Sequence, residues 1–177
     1  MNELAPENQD SPQSNEIEVR ELITLEEQKL AREVFDEIWP LEGMGTEITP
    51  NLLQAMVHNG AYLSGAFVDG KIAGATFGFP SIEPEIHLHS HMAATLNKYR
   101  DKGIGTIMKN HQYTWARNHG YKSITWTFDP LVRRNAKLNI VKLGVDIIGY
   151  YPNFYGNMPD ALNAGDESDR IMVRWDL

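Results

Sequence analysis

The stretch from Tyr99 to Gly105 has the residue types and spacing needed to bind an anion through the backbone. Gly103 and Gly105 lack a Cβ atom, so the chain here can approach a ligand closely and adopt a positive φ. The helix that opens at this point presents unpaired N–H groups and the positive end of its dipole. Arg100 and Lys102 add formal positive charge. The pattern predicts a pyrophosphate site.

Two common glycine loops do not fit this stretch. The dinucleotide-binding fingerprint requires a third glycine where Met108 stands, and the nucleotide triphosphate loop requires a lysine where Thr106 stands. The remaining alternative is an ordinary strand-to-helix turn, because a Gly-x-Gly pair alone is weak evidence.

Four titratable residues recur at every second position around the fourth predicted strand: Glu85, His87, His89 and His91. Successive side chains of a strand point to opposite faces, so these four should share one face, with the small Ala93 beyond them. A histidine can serve as a general base without a large pKa shift. The pattern predicts a base for proton removal or, alternatively, hydrogen-bonded histidines that fill a half-buried strand.

The His-x-His-x-His sequence also contains ligand types that zinc and copper accept. Imidazoles two residues apart on a strand are separated by about 7 Å, so a metal would require a bent strand or ligands from elsewhere. We therefore expect no metal and keep a histidine metal site as a lesser alternative.

A polar and aromatic segment near the C-terminus is the candidate pocket for a second substrate. It comprises residues 153–160 and 163–170. Tyr155 offers a ring and a hydroxyl group, and Arg170 can bind a carboxylate through two hydrogen bonds. The alternative for Arg170 is a salt bridge to a nearby aspartate such as Asp169.

Composition narrows the classes of function. The chain has 177 residues, no cysteine and a formal net charge of -8. Its length suits one domain, which we expect over residues 16–177. The acidic balance disfavours nucleic acid as a partner. The lack of cysteine excludes disulfides, thiolate zinc sites and an acyl-cysteine intermediate.

The N-terminal residues 1–15 are polar and contain two prolines, so we expect a disordered leader there. No run approaches the roughly 20 apolar residues of a membrane-spanning helix. We therefore expect no membrane interaction and a cytoplasmic location.

Hydrophobic periodicity and capping residues define the elements that must position these groups. Thr24 begins a capping box, Thr49 precedes a first-turn proline, and Asp129-Pro130 caps a later helix. Asp69-Gly70 predicts a tight hairpin turn. The predicted strands cover residues 17–22, 62–68, 71–79, 85–96, 123–128, 145–151 and 171–175. With four helices, the order is β-α-α-β-β-β-α-β-α-β-β, a mixed α/β domain.

This order, with Arg-x-x-Gly-x-Gly between the fourth strand and the third helix, resembles the GNAT (Gcn5-related N-acetyltransferase) superfamily. Residues 97–105 are similar to its acyl-coenzyme A loop, and Ala136 with Lys142-Leu143-Gly144 is similar to its next motif. The resemblance implies a mostly antiparallel central sheet with splayed fourth and fifth strands, flanked by about four helices.

The resemblance also implies where acyl-coenzyme A (acyl-CoA) binds. The pantetheine arm is expected to pair with the backbone of Ala94, Thr95 and Leu96 in the fourth strand. His89 and His91 are then nearest the thioester, with Glu85 as a substitute base or an orienting group. The pyrophosphate is expected at Arg100, Asp101, Lys102, Gly103, Ile104, Gly105 and Thr106.

The second motif departs from the family pattern at Ile140. Many members carry a tyrosine there, which protonates the departing thiolate. The polar neighbours that are candidates to replace it here are Asn139, Tyr150, Tyr151 and Tyr155. The sequence leaves open a relocated acid, protonation by solvent, or no catalysis.

The implied function is an acyl-CoA-dependent N-acyltransferase, in which a small amine or amino acid attacks the thioester directly. Acetyl is the default donor group. The first alternative is a noncatalytic acyl-CoA-binding regulatory module, which Ile140 favours; the second is the histidine metal site. Exposed sheet edges would also allow a homodimer.

Overall fold

The fold is taken from a computed structural model that describes residues 16–41, 43, 45–156 and 168–177. The expected leader, residues 1–15, lies outside the described residues. So does the central part of the expected second-substrate pocket, residues 157–167.

Seven strands form one sheet in the order β1-β2-β3-β4-β5-β7-β6. All neighbouring strands are antiparallel except β4 and β5, which are parallel. This arrangement confirms the mixed, mostly antiparallel sheet. The strands are β1 (Ile17–Glu21), β2 (Tyr62–Val68), β3 (Lys71–Ser81), β4 (His87–Thr95), β5 (Ser123–Phe128), β6 (Asp146–Tyr151) and β7 (Arg170–Asp176).

Local signals set the element ends in the first half of the chain. Thr24 and Glu27 form the expected capping box, with each side chain accepting the other residue's backbone N–H. The Thr49 side chain accepts from the Leu52 N–H, which begins the next helix. At the hairpin turn, Asp69 has φ 50°, as a primed turn requires. The helices are α1 (Leu25–Ile38), α2 (Pro50–His58), α3 (Ile104–Asn118) and α4 (Arg133–Ala136).

The last helix begins later than the sequence predicts. The carboxylate of Asp129 accepts the N–H of Leu131 in a turn, and the first helical residue is Arg133. Helix α4 then continues as a π-helical segment, Lys137–Leu143, and ends at Gly144, whose φ of 65° is left-handed. The predicted Asp129 cap is therefore wrong, whereas the predicted end is confirmed.

The helices cover the two faces of the sheet and enclose separate cores. Helices α1 and α2 pack on one face, where Phe35, Leu53 and Phe77 are fully buried. Helix α3 packs on the other face, where Trp115 and Trp126 join a second core. No helix among the described residues is long and apolar enough to cross a membrane.

Candidate active site

The parallel strands β4 and β5 separate after a very short ladder. Their paired residues are Leu88 with Ile124 and His89 with Thr125. Beyond this point β4 continues to Thr95, still paired with β3 on its other side. The result is a fork between β4 and β5, as the resemblance implied, along which the β4 edge is open to an extended ligand.

The alternation of the β4 backbone decides which residues face the fork. The N–H of Leu96 donates to the carbonyl of Ala73 at 2.8 Å, and the carbonyl of Ala94 lies against Gly74 of β3. Ala94 and Leu96 therefore direct their backbone groups at β3, contrary to expectation, because alternate residues of a paired strand bond on opposite sides. Of the three expected residues, Thr95 faces the open edge.

The loop after β4 presents a row of N–H groups without acceptors. Before the row, the Arg100 N–H donates to the Asn97 carbonyl and closes a single turn of 3-10 helix, Asn97–Tyr99. After the row, the Thr106 N–H donates to the Gly103 carbonyl at 3.0 Å. Within the described chain, no acceptor bonds the backbone N–H groups of residues 101–105. Because Thr106 is already bonded, the free donors end one residue earlier than expected.

The backbone of this loop contains left-handed residues and borders space that no protein atom fills. Asp101 has φ 65° and Gly103 has φ 76°, so two residues of the turn are left-handed. A Cβ atom on Gly103 would meet no protein atom within 4 Å, and one on Gly105 would make ordinary contact with Leu138 at 3.7 Å. Exposed Arg100 and Lys102 flank the turn. The loop can therefore cradle an anion at the N-terminus of α3.

A bulge in β4 determines where the histidines point. Phe77 of β3 lies opposite Met92 and Gly78 lies opposite Ser90, so His91 is an extra residue. The bulge breaks the expected alternation, and Ala93 does not continue the face that carries the histidine rings.

The rings of His89 and His91 share the sheet face that packs against α1 and α2. Their centroids are 6.2 Å apart, and both lie beside Phe79, at 5.2 and 5.7 Å. His89 is also held by a 3.0 Å hydrogen bond between its Nδ1 and the Thr125 hydroxyl, whereas His91 is exposed. Of the two, His91 is the imidazole that a second substrate can reach.

Burial favours the neutral form of both imidazoles. Desolvation, with smaller contributions from the nearby charges of His91, His87 and Lys109, lowers the pKa of His89 to about 4. The ring of His91 is accessible on one side but packs against Phe77 and Phe79 on the other, and this partial desolvation lowers its pKa below the ordinary value of 6.5. Each ring can therefore accept a proton, but His89 is the weaker base.

Glu85 does not continue the histidine row. It precedes β4, and its carboxylate forms an ion pair with Arg174 of β7. Its backbone carbonyl accepts a hydrogen bond from the Nδ1 of His87 at 2.8 Å. Glu85 therefore contacts His87 through its backbone only, and its carboxylate is paired with Arg174. No contact of the Glu85 carboxylate supports the expected role as a base or an orienting group.

The position usually occupied by the family's tyrosine is held by an exposed side chain. Ile140 is 39% exposed, while the adjacent Asn139 is buried and its Oδ1 accepts from the Trp126 indole N–H at 3.2 Å. Asn139 thus ties the π-helical segment to β5.

Among the three tyrosines, Tyr155 approaches the fork. Its hydroxyl bonds the hydroxyl of Thr127, a β5 residue beyond the last β4 pair, at 3.2 Å. Tyr150 instead donates to Asp169, and Tyr151 packs edge-on against Phe154. The structure therefore separates the tyrosines that the sequence left equivalent.

Arg170 is buried beneath this tyrosine. Its guanidinium lies 5.3 Å from the centroid of the Tyr155 ring and donates to the Asp169 carbonyl at 2.8 Å. The hydroxyl of Ser168 bonds the Gly156 carbonyl and accepts the Tyr155 N–H. Tyr155 and Arg170 are thus in contact with each other.

Sequence reasoning groups Lys109 with the basic residues near the anion turn and does not place Lys109, Thr125 or Thr127 at the fork. The two threonines carry no distinguishing motif. Lys109, however, lies on the buried face of α3, beside Met108 and Gln112. A lysine at a position that the helical periodicity assigns to the buried face is a recognisable signal.

The described residues contain no group of three or more His, Asp or Glu side chains that is suited to hold a metal ion. Two of the three histidines are held by separate hydrogen bonds, His87 to the Glu85 carbonyl and His89 to the Thr125 hydroxyl.

Comparisons with known proteins identify the same architecture. The structure of a GNAT-family acetyltransferase from Streptococcus pneumoniae matches with 16% identity and a TM-score of 0.72, over 92% of this chain and 100% of that one. Arabidopsis thaliana Naa50, solved in complex with a bisubstrate analogue, CoA-Ac-MVNAL, matches with 14% identity and a TM-score of 0.72, over 91% and 99%.

A third match is the ribosomal-protein-S18-alanine N-acetyltransferase of Escherichia coli, with 12% identity and a TM-score of 0.70, over 91% and 94% of the two chains. A search of curated proteins finds no significant match. The family model for the Acetyltransferase (GNAT) family matches residues 24–138, more than half of the chain. The chain therefore belongs to the GNAT family of acetyltransferases.

Proposed function

We propose that the protein transfers an acyl group, by default acetyl, from acyl-CoA to the amino group of a small amine or amino acid. The observation that carries this proposal is the continuity of two features: the anion loop at residues 101–105 and the open β4 edge that leads from it to His91. Thr95 and His91 are four residues apart, about 13 Å along a strand.

The donor fits the residues present. The N–H groups of residues 101–105 would hold the pyrophosphate, and the backbone at Thr95 would pair with the extended arm. When bound, acyl-CoA supplies an activated acyl group as a thioester, which a neutral amine attacks with loss of the thiolate.

His91 is the proposed base. An amine with a pKa near 8 to 10 is mostly protonated at neutral pH, so attack requires removal of a proton. The His91 ring is neutral, exposed and on the face opposite α3. His89 is hydrogen-bonded to Thr125 and less basic, so it serves to orient His91 and the substrate.

Tyr155 is the proposed acid in place of the missing family tyrosine. Its hydroxyl contacts β5 beyond the fork, where a leaving thiolate between the two strands would need a proton. Arg170 packs beneath the ring of Tyr155 and supports its position.

The test is release of coenzyme A thiol by the purified protein with acetyl-CoA and a panel of amines, amino acids and short peptides. Amine-dependent release with a mass increase of one acetyl group on the acceptor is expected. Replacing acetyl-CoA by other acyl-CoA donors would define the acyl group.

The second candidate function is the noncatalytic acyl-CoA-binding module, which the exposed Ile140 favours. Tight acetyl-CoA binding in calorimetry without turnover over the whole panel would establish it. Absence of both binding and turnover would exclude both functions.

A further inference from the structure

A lysine is buried at the point where β4 and β5 separate. Lys109 projects from α3 and is only 5% exposed. Its Nζ donates to the hydroxyl of Ser90 at 2.7 Å and lies 3.9 Å from the centroid of the Trp126 ring. Ser90 and Trp126 are the residues that directly follow the last paired residues, His89 and Thr125. Lys109 therefore closes the vertex of the fork from the α3 side.

Packing alone does not account for this lysine. Burying an ammonium group is costly unless an anion pairs with it, and an apolar side chain of similar size is often more stable at such a site. The other hydrogen bond of Nζ, at 3.2 Å, goes to the neutral Oε1 of Gln112. Desolvation lowers the pKa of Lys109 to about 7. A buried group of this kind at a cleft is a candidate for a functional role.

The contact with Ser90 connects Lys109 to the candidate base. Ser90 lies between His89 and His91 and is one of the residues that form the β4 bulge. Its hydroxyl points to α3, whereas both imidazole rings lie on the other face beside Phe79. Because the backbone of Ser90 continues directly into His91, the position of the Ser90 side chain restrains the direction of the His91 ring.

We propose that Lys109 is a positioning residue for acyl transfer, which holds Ser90 at the fork and thereby fixes the bulge that directs His91 towards the acceptor amine. This inference rests on the proposed function. Lys109 touches neither substrate in it, and acts through Ser90.

Three variants test the proposal. Lys109→Met removes the donor and keeps an unbranched side chain, and Ser90→Ala removes the acceptor with a minimal change. Tyr62→Phe is the matched control. It removes a buried hydroxyl group that bonds Ser64 at 2.8 Å, and both residues lie on β2 of the same sheet.

In both fork variants kcat should fall about 10- to 100-fold, since a displacement of a catalytic group by about 1 Å has effects of this size. The Kd for acetyl-CoA should stay near the wild-type value because the anion loop is untouched. Tyr62→Phe should keep the wild-type kcat. Wild-type kcat in Ser90→Ala, or in a folded Lys109→Met protein, would overturn the proposal, and Ser90→Ala decides it if Lys109→Met does not fold.

A readout without turnover separates this inference from the proposed function. The ring resonances of His91 in NMR spectra should shift or broaden in Lys109→Met and Ser90→Ala, and stay in place in Tyr62→Phe. Unchanged His91 resonances in both fork variants would overturn the positioning role even if the wild-type enzyme is active. An inactive wild-type protein would refute the proposed function, whatever the spectra show.

Discussion

The two ends of the open β4 edge are built from different parts of the chain. At the loop end, the proposed anion site consists of the backbone N–H groups of residues 101–105, with Gly103 in a left-handed conformation. At the fork end, the proposed catalytic site consists of side chains from β4, β5 and the segment after β6, among them His91, Thr127 and Tyr155. A site made of backbone depends on few residue identities, whereas a site made of side chains depends on each one.

The largest expected effect is at the fork end. His91→Ala should lower kcat/KM about 100- to 1000-fold at neutral pH, in the range of a lost general base. Because burial lowers the pKa of His91 below its ordinary value of 6.5, kcat/KM of the wild type should stay level near neutral pH and fall in acid, with a midpoint below 6.5. Without the ring, kcat/KM should rise steadily with pH towards the pKa of the amine.

The pH profiles of kcat/KM for wild type and His91→Ala provide the measurement. His89→Ala is the comparison variant, and its loss should be smaller because the pKa of about 4 makes His89 a poor base. An identical pH profile in His91→Ala would clear this residue of the role.

The next effect is at the loop end. Gly103→Val should raise the Kd for acetyl-CoA about 10- to 100-fold, because a β-branched residue at φ 76° costs about 1–3 kcal/mol and brings side-chain atoms to the anion site. Gly60→Val is the matched control: Gly60 is also left-handed, with φ 91° and no atom within 4 Å of an added Cβ, but it follows α2 and lies outside the anion loop. Calorimetric titration of both variants makes the comparison. Equal affinities would argue against a backbone cradle.

A smaller effect is expected at Tyr155. Tyr155→Phe should lower kcat about 10-fold while leaving the Kd for acetyl-CoA unchanged, because solvent can replace an acid only partly. Tyr151→Phe is the control, since its ring packs on Phe154 and its hydroxyl is not placed at β5. Single-turnover acetyl transfer measures the step directly, and equal rates in the two variants would remove Tyr155 as the acid.

The smallest effect separates backbone from side-chain recognition at the loop. Lys102→Ala should weaken acetyl-CoA binding only about 3-fold, because an exposed charge contributes less than about 1 kcal/mol. Binding measured at low and high salt should show the difference between variant and wild type shrinking as salt rises. A loss as large as that of Gly103→Val would mean that side-chain charge, rather than the backbone, holds the anion.

The same contrast explains what could be predicted from the sequence. The elements and their order follow from local signals such as the Thr24 capping box and the Asp69-Gly70 turn, and all seven strands are confirmed within a few residues. The anion loop also follows from local sequence, because glycines at fixed spacing directly specify backbone conformation.

The fork end could not be predicted because it depends on register and on distant contacts. Nothing in the sequence marks the extra residue at His91, so the expected alternation through Ala93 was wrong. The ion pair of Glu85 with Arg174 joins residues 89 positions apart. Selection of Tyr155 from several tyrosines likewise required the fold that brings it to Thr127.

The two-pair ladder between β4 and β5 has a mechanical consequence. It divides the sheet into two parts, β1 to β4 and β5 to β7. These parts are joined by two residue pairs and by helix α3, which contacts both. We expect a ligand lying in the fork to form hydrogen bonds with the β4 backbone where β5 is no longer paired, and so to restrict movement between the two parts of the sheet. Occupancy should therefore slow amide hydrogen exchange on both sides of the gap at once, coupling the arrival of one substrate to the rigidity of the surface that awaits the other.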